Sequence, residues 1–351
     1  MDFGISLLPD VLPSVRTARE YYQDVFALCN QAEDEGMRYV KMTEHYLHPY
    51  GGYCPNPLSF LAAVAAQTKD IRLMTGCVLP AFHHPVKLAS WAMQVDAISG
   101  GRLDVGFARA YLPYEFETFG IPLNGSRERF EASIHAIERL WKEENVSIDT
   151  PFFSFSDATI LPRPTSSPHP PILIAAVKTH ESFIRIGRMG HGLLVTPSGL
   201  EVMTSQIEAY RENFVYTNSA TPSPRIVASL PLFVAETDQE ATKVADYYLR
   251  RYLDVWASAC DSWNNTTSPD YASYTGMARY IRTLTEKDLR LTGSAIVGSP
   301  STVRERIEQL VSEVGGGLDT IIWQIDFGGM PYSVSGPSLE LFNKEGAPYF
   351  L

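Results

Sequence analysis

Short apolar runs alternate with longer amphipathic stretches along almost the whole chain. "FGISLL" comes first, and from Ser14 to Ala32 the apolar residues Val15, Ala18, Tyr22, Val25, Leu28, Cys29 and Ala32 recur at helical spacing. A second strand ends at Val40 and Met42, and Pro57 opens the helix-like "PLSFLAAVAAQT". "IRLMTGCVL" reads as a third strand, "HPVKLASWAMQVDAI" as a helix entered through Pro85, and "RLDVGFA" as a fourth strand.

The alternation resumes with "PPILIAA" and a helix from about His180, "HGLLVT" and a helix from about Gly199, and "RIVASLPLFVA" and a helix from Asp238. It finishes with "SPSTVRERIEQLVSEV", the strand "LDTIIWQI" and a last helix near Leu339. The near-continuous apolar strands are those of a parallel sheet buried on both faces. Eight β-then-α units predict an α/β fold, a (β/α)8 TIM barrel with insertions, spanning residues 1–351 as a single domain.

Two stretches break the rhythm. "VSIDTPFFSFSDATILPRPTSSPHPP" predicts a strand pair with a proline-rich return, and residues 256–292 predict a polar, aromatic insertion. Insertions of this length in a barrel serve as lids or subunit contacts.

Composition narrows the function. The hydrophobic fraction of 45% and charged fraction of 20% are those of a globular protein with a large core. The net charge of −11, with no basic stripe, argues against nucleic acid or an anionic membrane as partner. The first residues, "MDFGISLLPD", carry no basic segment before an apolar run, so a cytoplasmic protein is expected. Cys29, Cys54, Cys77 and Cys260 form no CxxC pair and read as free thiols.

In a barrel of this kind the C-terminal ends of the strands face the active site. That rule selects Glu44, His45 and Tyr46, the residues Thr75 to Pro80, then Ala108, Arg109 and Tyr111, then Ala176, Val177, Lys178 and Thr179. His45 is either a packed corner histidine or a general base near neutral pH. Arg109 at a barrel mouth needs an anion: a phosphate held bidentately, or Glu115 or Glu117 within the chain. The "AAVKTHES" turn into a helix offers the amides of Val177, Lys178 and Thr179 to the same anion, unless Thr179 simply caps the helix.

His48, His83 and His84 show no HxH or HExxH spacing, so no metal site is expected. There is no GxGxxG after a strand, no Walker A loop and no GxSxG elbow, which removes the main support for dinucleotide binding and serine hydrolysis.

The segments "EHYLHPYGGYCPNPLSFLAAVAAQTKDIRLMTGCVLP", "HHPVKLASWAMQVDAISGGRLDVGFARAYLPYEFETFG", "ILPRPTSSPHPPILIAA" and "GSPSTVRERIEQL" together resemble the bacterial luciferase-like flavin monooxygenases. The resemblance implies a TIM barrel, often a homodimer, that takes reduced FMN from a separate NAD(P)H-dependent flavin reductase. With O2 it oxygenates a small organic substrate through a C4a-peroxyflavin.

Residue by residue, the resemblance makes His45 the active-site histidine of an "EHH" signature, with Tyr46 in place of the second histidine. Arg109 and Thr179 match the residues that hold the FMN phosphate. Ala176 stands where the family has a serine, leaving the backbone of Val177 and Lys178 to compensate. Ala108 stands where luciferases proper carry a reactive cysteine, and Thr75 and Gly76 align with a non-proline cis peptide under the flavin. Tyr46, Tyr50, Tyr53, Tyr111, Tyr114 and Trp323 are the aromatic residues expected to line a substrate pocket or to fill the barrel mouth. Two other readings of the same resemblance are a deazaflavin-dependent hydride-transfer oxidoreductase and a non-catalytic flavin-binding protein.

Overall fold

The computed structural model describes residues 1–177, 179–196, 199–217 and 220–350. Its strands are β1 (Asp2–Leu7), β2 (Tyr39–Met42), β3 (Arg72–Thr75), β4 (Leu103–Phe107), β5 (Val146–Asp149), β6 (Ser154–Ala158), β7 (Ile172–Ala176), β8 (Gly192–Val195), β9 (Ile226–Val234), β10 (Ile296–Gly298) and β11 (Thr320–Gln324). The order β1-β2-β3-β4-β7-β8-β9-β11 closes back on β1 with every pairing parallel. This is the closed eight-stranded barrel that the apolar periodicity predicts.

The first helices start where their sequences carry the signals. Thr17 and Glu20 form a capping box before Ala18–Asp34, and Asn56 caps Pro57–Gln67 through the amide of Ser59. β5 and β6 form the expected antiparallel pair. β10 is a strand outside the ring: it pairs only with the C-terminal half of β9, Ile296 opposite Leu232. Residues 256–292 combine exposed polar side chains with buried apolar ones. The helix Asp238–Ala259 runs on past Trp256, and Trp263, Tyr271, Ile281 and Leu289 bury themselves against Leu249 and Leu253 in a second apolar cluster.

Strand alternation sorts the side chains. Phe3, Ile5, Val40, Leu73, Val105, Ile174 and Trp323 point outward into the layer under the helices. Tyr39, Met74, Leu173, Leu194, Val227 and Ile322 fill the barrel interior. Its N-terminal end is sealed by ions: the fully buried Asp104 carboxylate is held by Arg72 and, at 2.7 Å, by Arg225, which also donates to the Tyr39 hydroxyl. Only the C-terminal end is left for chemistry.

Candidate active site

His45 lies just beyond β2, 5% exposed, with Nδ1 3.1 Å from Glu115 Oε1. Glu115 has no solvent exposure, sits on the short helix Pro113–Thr118, and accepts the Tyr46 amide on the same oxygen at 2.9 Å. A carboxylate on Nδ1 holds a proton there and leaves Nε2 as the nitrogen able to accept one. The loop closes tightly over the ring. Gly51 has φ +81°, and a Cβ there would stand 2.7 Å from His45 Cβ, so glycine is what allows the approach.

The neighbouring Glu44, also buried, is fully engaged. It accepts the Leu79 amide at 3.1 Å, the Tyr46 hydroxyl at 2.5 Å and His83 Nε2 at 2.8 Å, tying the loop after β2 to the loop after β3. Burial first, and then the Glu44 charge, push the Tyr46 phenol well up, so it serves as a donor. His83 is thereby a partner of Glu44, and His48 lies 3.1 Å from the Ser258 hydroxyl. Among the described residues no group of three His, Cys, Asp or Glu side chains could hold a metal ion.

Arg109 makes neither of the ion pairs open to it. Its guanidinium stacks 4.2 Å over the Tyr271 ring and donates from Nη2 to the Asp270 carbonyl at 3.0 Å, while Nη1 is buried with no partner. A second cation lies beside it. Arg127, at the start of the helix Ser126–Lys142, is held below its ordinary pKa by burial and then by the charges of Arg109 and Arg185. Arg185, on the helix His180–Met189, is ion-paired with Glu131 at 3.2 Å and Glu181 at 3.3 Å, and Thr179 at the start of that helix makes no capping bond with its side chain. An orphaned buried guanidinium nitrogen beside a second cation is suited to receive an anion.

The remaining expected residues separate by strand parity. Ala108 faces the interior, as does Ala175, Val177 follows β7 with its carbonyl accepting from Gln206 Nε2 at 3.4 Å, and Tyr46 and Tyr111 stand at the mouth, Tyr111 edge-on to His45 at 6.1 Å. Tyr114 lies 5.9 Å from His48 with its hydroxyl buried and unpaired. Thr75 spends its hydroxyl bridging β3 to β4, exchanging hydrogen bonds with Gly106 at 2.8 Å. The non-proline cis peptide among the described residues is Gly76–Cys77, one bond later than Thr75 and Gly76. Lys178 lies outside the described residues.

Three expectations are corrected. Ala176 turns its side chain outward into the main core. Trp323 is completely buried on the outer face of β11, stacked on Phe3 at 5.9 Å and edge-on to Phe342 at 5.3 Å. Tyr53 packs with Tyr21 and Tyr22 and donates to the Arg16 carbonyl at 2.8 Å. Odd or even position within a strand decides the first two cases, the path of the loop after β2 decides Tyr53, and aromaticity carries no such information.

Sequence reasoning missed Arg127 and Tyr271, and considered Glu115 only as a partner for Arg109. "GSRER" at a helix start was the one local signal for Arg127; nothing near Tyr271 announced its stacking on an arginine 162 positions earlier.

Comparison with known proteins agrees with this geometry. The profile described as "Luciferase-like monooxygenase" matches residues 1–316. The crystal structure of the monooxygenase RslO1 from Streptomyces bottropensis superposes with a TM-score of 0.85 at 36% identity, over 100% of both chains. The oxygenase component of a flavin-dependent trigonelline monooxygenase from Acinetobacter baylyi is 31% identical over 270 residues, 73% of this chain and 72% of its own. An F420-dependent glucose-6-phosphate dehydrogenase from Beutenbergia cavernae is 29% identical over 221 residues, 60% of this chain and 62% of its own.

Fold and relatives together define a flavin-dependent monooxygenase. The chain belongs to the luciferase-like monooxygenase family.

Proposed function

We propose that this protein is the oxygenase of a two-component pair: it takes reduced FMN from a separate NAD(P)H-dependent flavin reductase and uses O2 to oxygenate a small organic substrate held in the aromatic mouth. The observation that carries the reading is the unpartnered, buried Nη1 of Arg109 beside Arg127, a cationic recess suited to a dianionic phosphate. Arg109, Arg127 and the Thr179 hydroxyl would hold the phosphate, with the helix His180–Met189 presenting its N-terminus.

Bound there, reduced FMN supplies the electrons that activate O2. The protein's part is positional and protic. Glu115 orients His45, so Nε2 accepts and returns a proton at the mouth, and Tyr46, Phe82, Phe116 and Phe119 form an apolar wall that keeps water away. The oxygenase title of the Acinetobacter relative supports the two-component arrangement.

The second reading, hydride transfer with a deazaflavin, is favoured by the likeness to an F420-dependent dehydrogenase. Anaerobic titration with reduced FMN and with reduced F420, followed by admission of 18O2, separates the two. Label in the product with FMN supports oxygenation, and oxidised substrate without label, formed only with F420, overturns it.

A further inference from the structure

Lys41 on β2 and Gln324 on β11 both pair across to Ser6 on β1, so three neighbouring strands carry inward-facing polar side chains at one level. The level lies at the C-terminal end of the barrel, where Gln324 closes β11 and Lys41 stands one residue before the end of β2. Lys41 is 4% exposed and Gln324 8%.

The Lys41 stem lies across Gly76, where a Cβ would stand 2.1 Å from Lys41 Cγ unless the stem moved. Nζ then donates to the Gly76 carbonyl at 3.1 Å. An ammonium has three protons to place. Among the described residues no carboxylate lies within ion-pair distance of it, although Asp326 is near enough to favour its charge. Gln324 is in the same condition, its Nε2 buried without a partner.

A buried cation with one carbonyl partner is expensive, and burial draws the Lys41 pKa down to about 8. Folding alone gives no reason to keep it, since an apolar side chain of equal length would fill the space. The facing positions Ala108 and Ala175 are small. Two buried donors with protons still to place, one of them charged, therefore face the barrel interior on the mouth side of the cluster formed by Asp104, Arg72 and Arg225. The backbones that carry them are about 9–10 Å apart, two strand spacings, so both side chains can reach one planar ring edge lying between them.

The occupant such a pair selects is a ring edge of adjacent acceptors bearing negative charge. Two electrons and one proton added to oxidised flavin leave one net negative charge, shared between N1 and the C2 carbonyl oxygen. We propose that Lys41 and Gln324 are the donors that receive this anionic edge and make the site prefer reduced over oxidised flavin. The proposal rests on the FMN reading above. Its consequence is directional, because a site that favours the reduced form draws flavin from the reductase and releases it once oxidised.

The test is the ratio of two affinities, each measured by fluorescence titration without substrate: oxidised FMN, and dithionite-reduced FMN under argon. Wild type is expected to bind the reduced form at least about tenfold tighter, equivalent to a midpoint potential about 30 mV above that of free FMN. Lys41→Met should bring the ratio near one while keeping a melting temperature no lower than wild type. Gln324→Leu, which leaves the charge in place, should lower the ratio by a smaller factor and stands as the second variant should Lys41→Met not fold. Retention of the wild-type ratio in the folded variants overturns the donor assignment alone. If wild type binds neither form of FMN, the FMN reading falls with it.

Discussion

His45 Nδ1 stands 3.1 Å from a Glu115 oxygen that arrives 70 positions later in the chain, and the contact decides which ring nitrogen is free to work. Glu115 Oε2 has no partner of its own, so the carboxylate is committed to His45 and the Tyr46 amide through one oxygen. Glutamine at 115 preserves shape and can still accept both bonds, yet it can also turn its amide donor to Nδ1 and place the proton on the wrong nitrogen. Glu115→Gln is expected to lower turnover by about 10- to 100-fold, the usual cost of losing an orienting carboxylate. Stopped-flow turnover with flavin affinity measured in parallel checks this, and an unchanged rate means the pair only packs.

For His45→Ala the expectation is a split between binding and chemistry. Affinity for reduced FMN should stay within roughly tenfold, about 1.4 kcal/mol, while product per flavin consumed falls by ~10²-fold or more. Full product yield with normal flavin affinity would return His45 to a packing role.

Arg109→Ala removes the orphaned guanidinium and should weaken FMN by about 1.5–3 kcal/mol, as for a charged hydrogen bond. Riboflavin, which has no phosphate, is the control. Equal losses for both flavins would assign Arg109 to the Tyr271 stack and the local fold instead.

A pH effect follows from Asp10 and Asp326. Asp10 accepts the Gly328 and Gly329 amides, and Asp326 accepts the Leu8 amide and the Tyr21 hydroxyl. Burial raises both carboxyl groups, Asp10 to about 8 with added repulsion from Asp326, and Asp326 to about 7. The folded protein then holds more protons than the unfolded chain from about pH 4 upward, so the stability this pair contributes declines as pH rises toward 8. Asp326→Asn can still accept from Leu8 and bond to Tyr21 while removing the repulsion. It should gain about 1–3 kcal/mol on wild type between pH 5 and pH 8 in urea unfolding. Parallel stability profiles would disprove the assignment.

Gly76→Ala tests the Lys41 contact directly. The new methyl meets the Lys41 stem, and overpacking of this kind costs about 1–3 kcal/mol. In the Lys41→Ala background, where the stem is gone, the same substitution should cost less, giving a favourable coupling in a double-mutant cycle. Additive losses would show that the strain falls on backbone.

The sequence by itself determined the eight βα units, the closed parallel barrel, the hairpin between β5 and β6, and the placing of His45 and Arg109 at strand ends. These follow from local periodicity and capping, which neighbouring residues set through backbone geometry. Only the tertiary structure decided the rest. Glu115 reaches His45, Tyr271 reaches Arg109, and Lys41, Ser6 and Gln324 share a level because closing the ring brings distant strands into one register. It also turned Trp323 and Ala176 outward, because strand parity becomes inside or outside only once the sheet has a centre, and it packed Tyr53, in the loop after β2, against Tyr21.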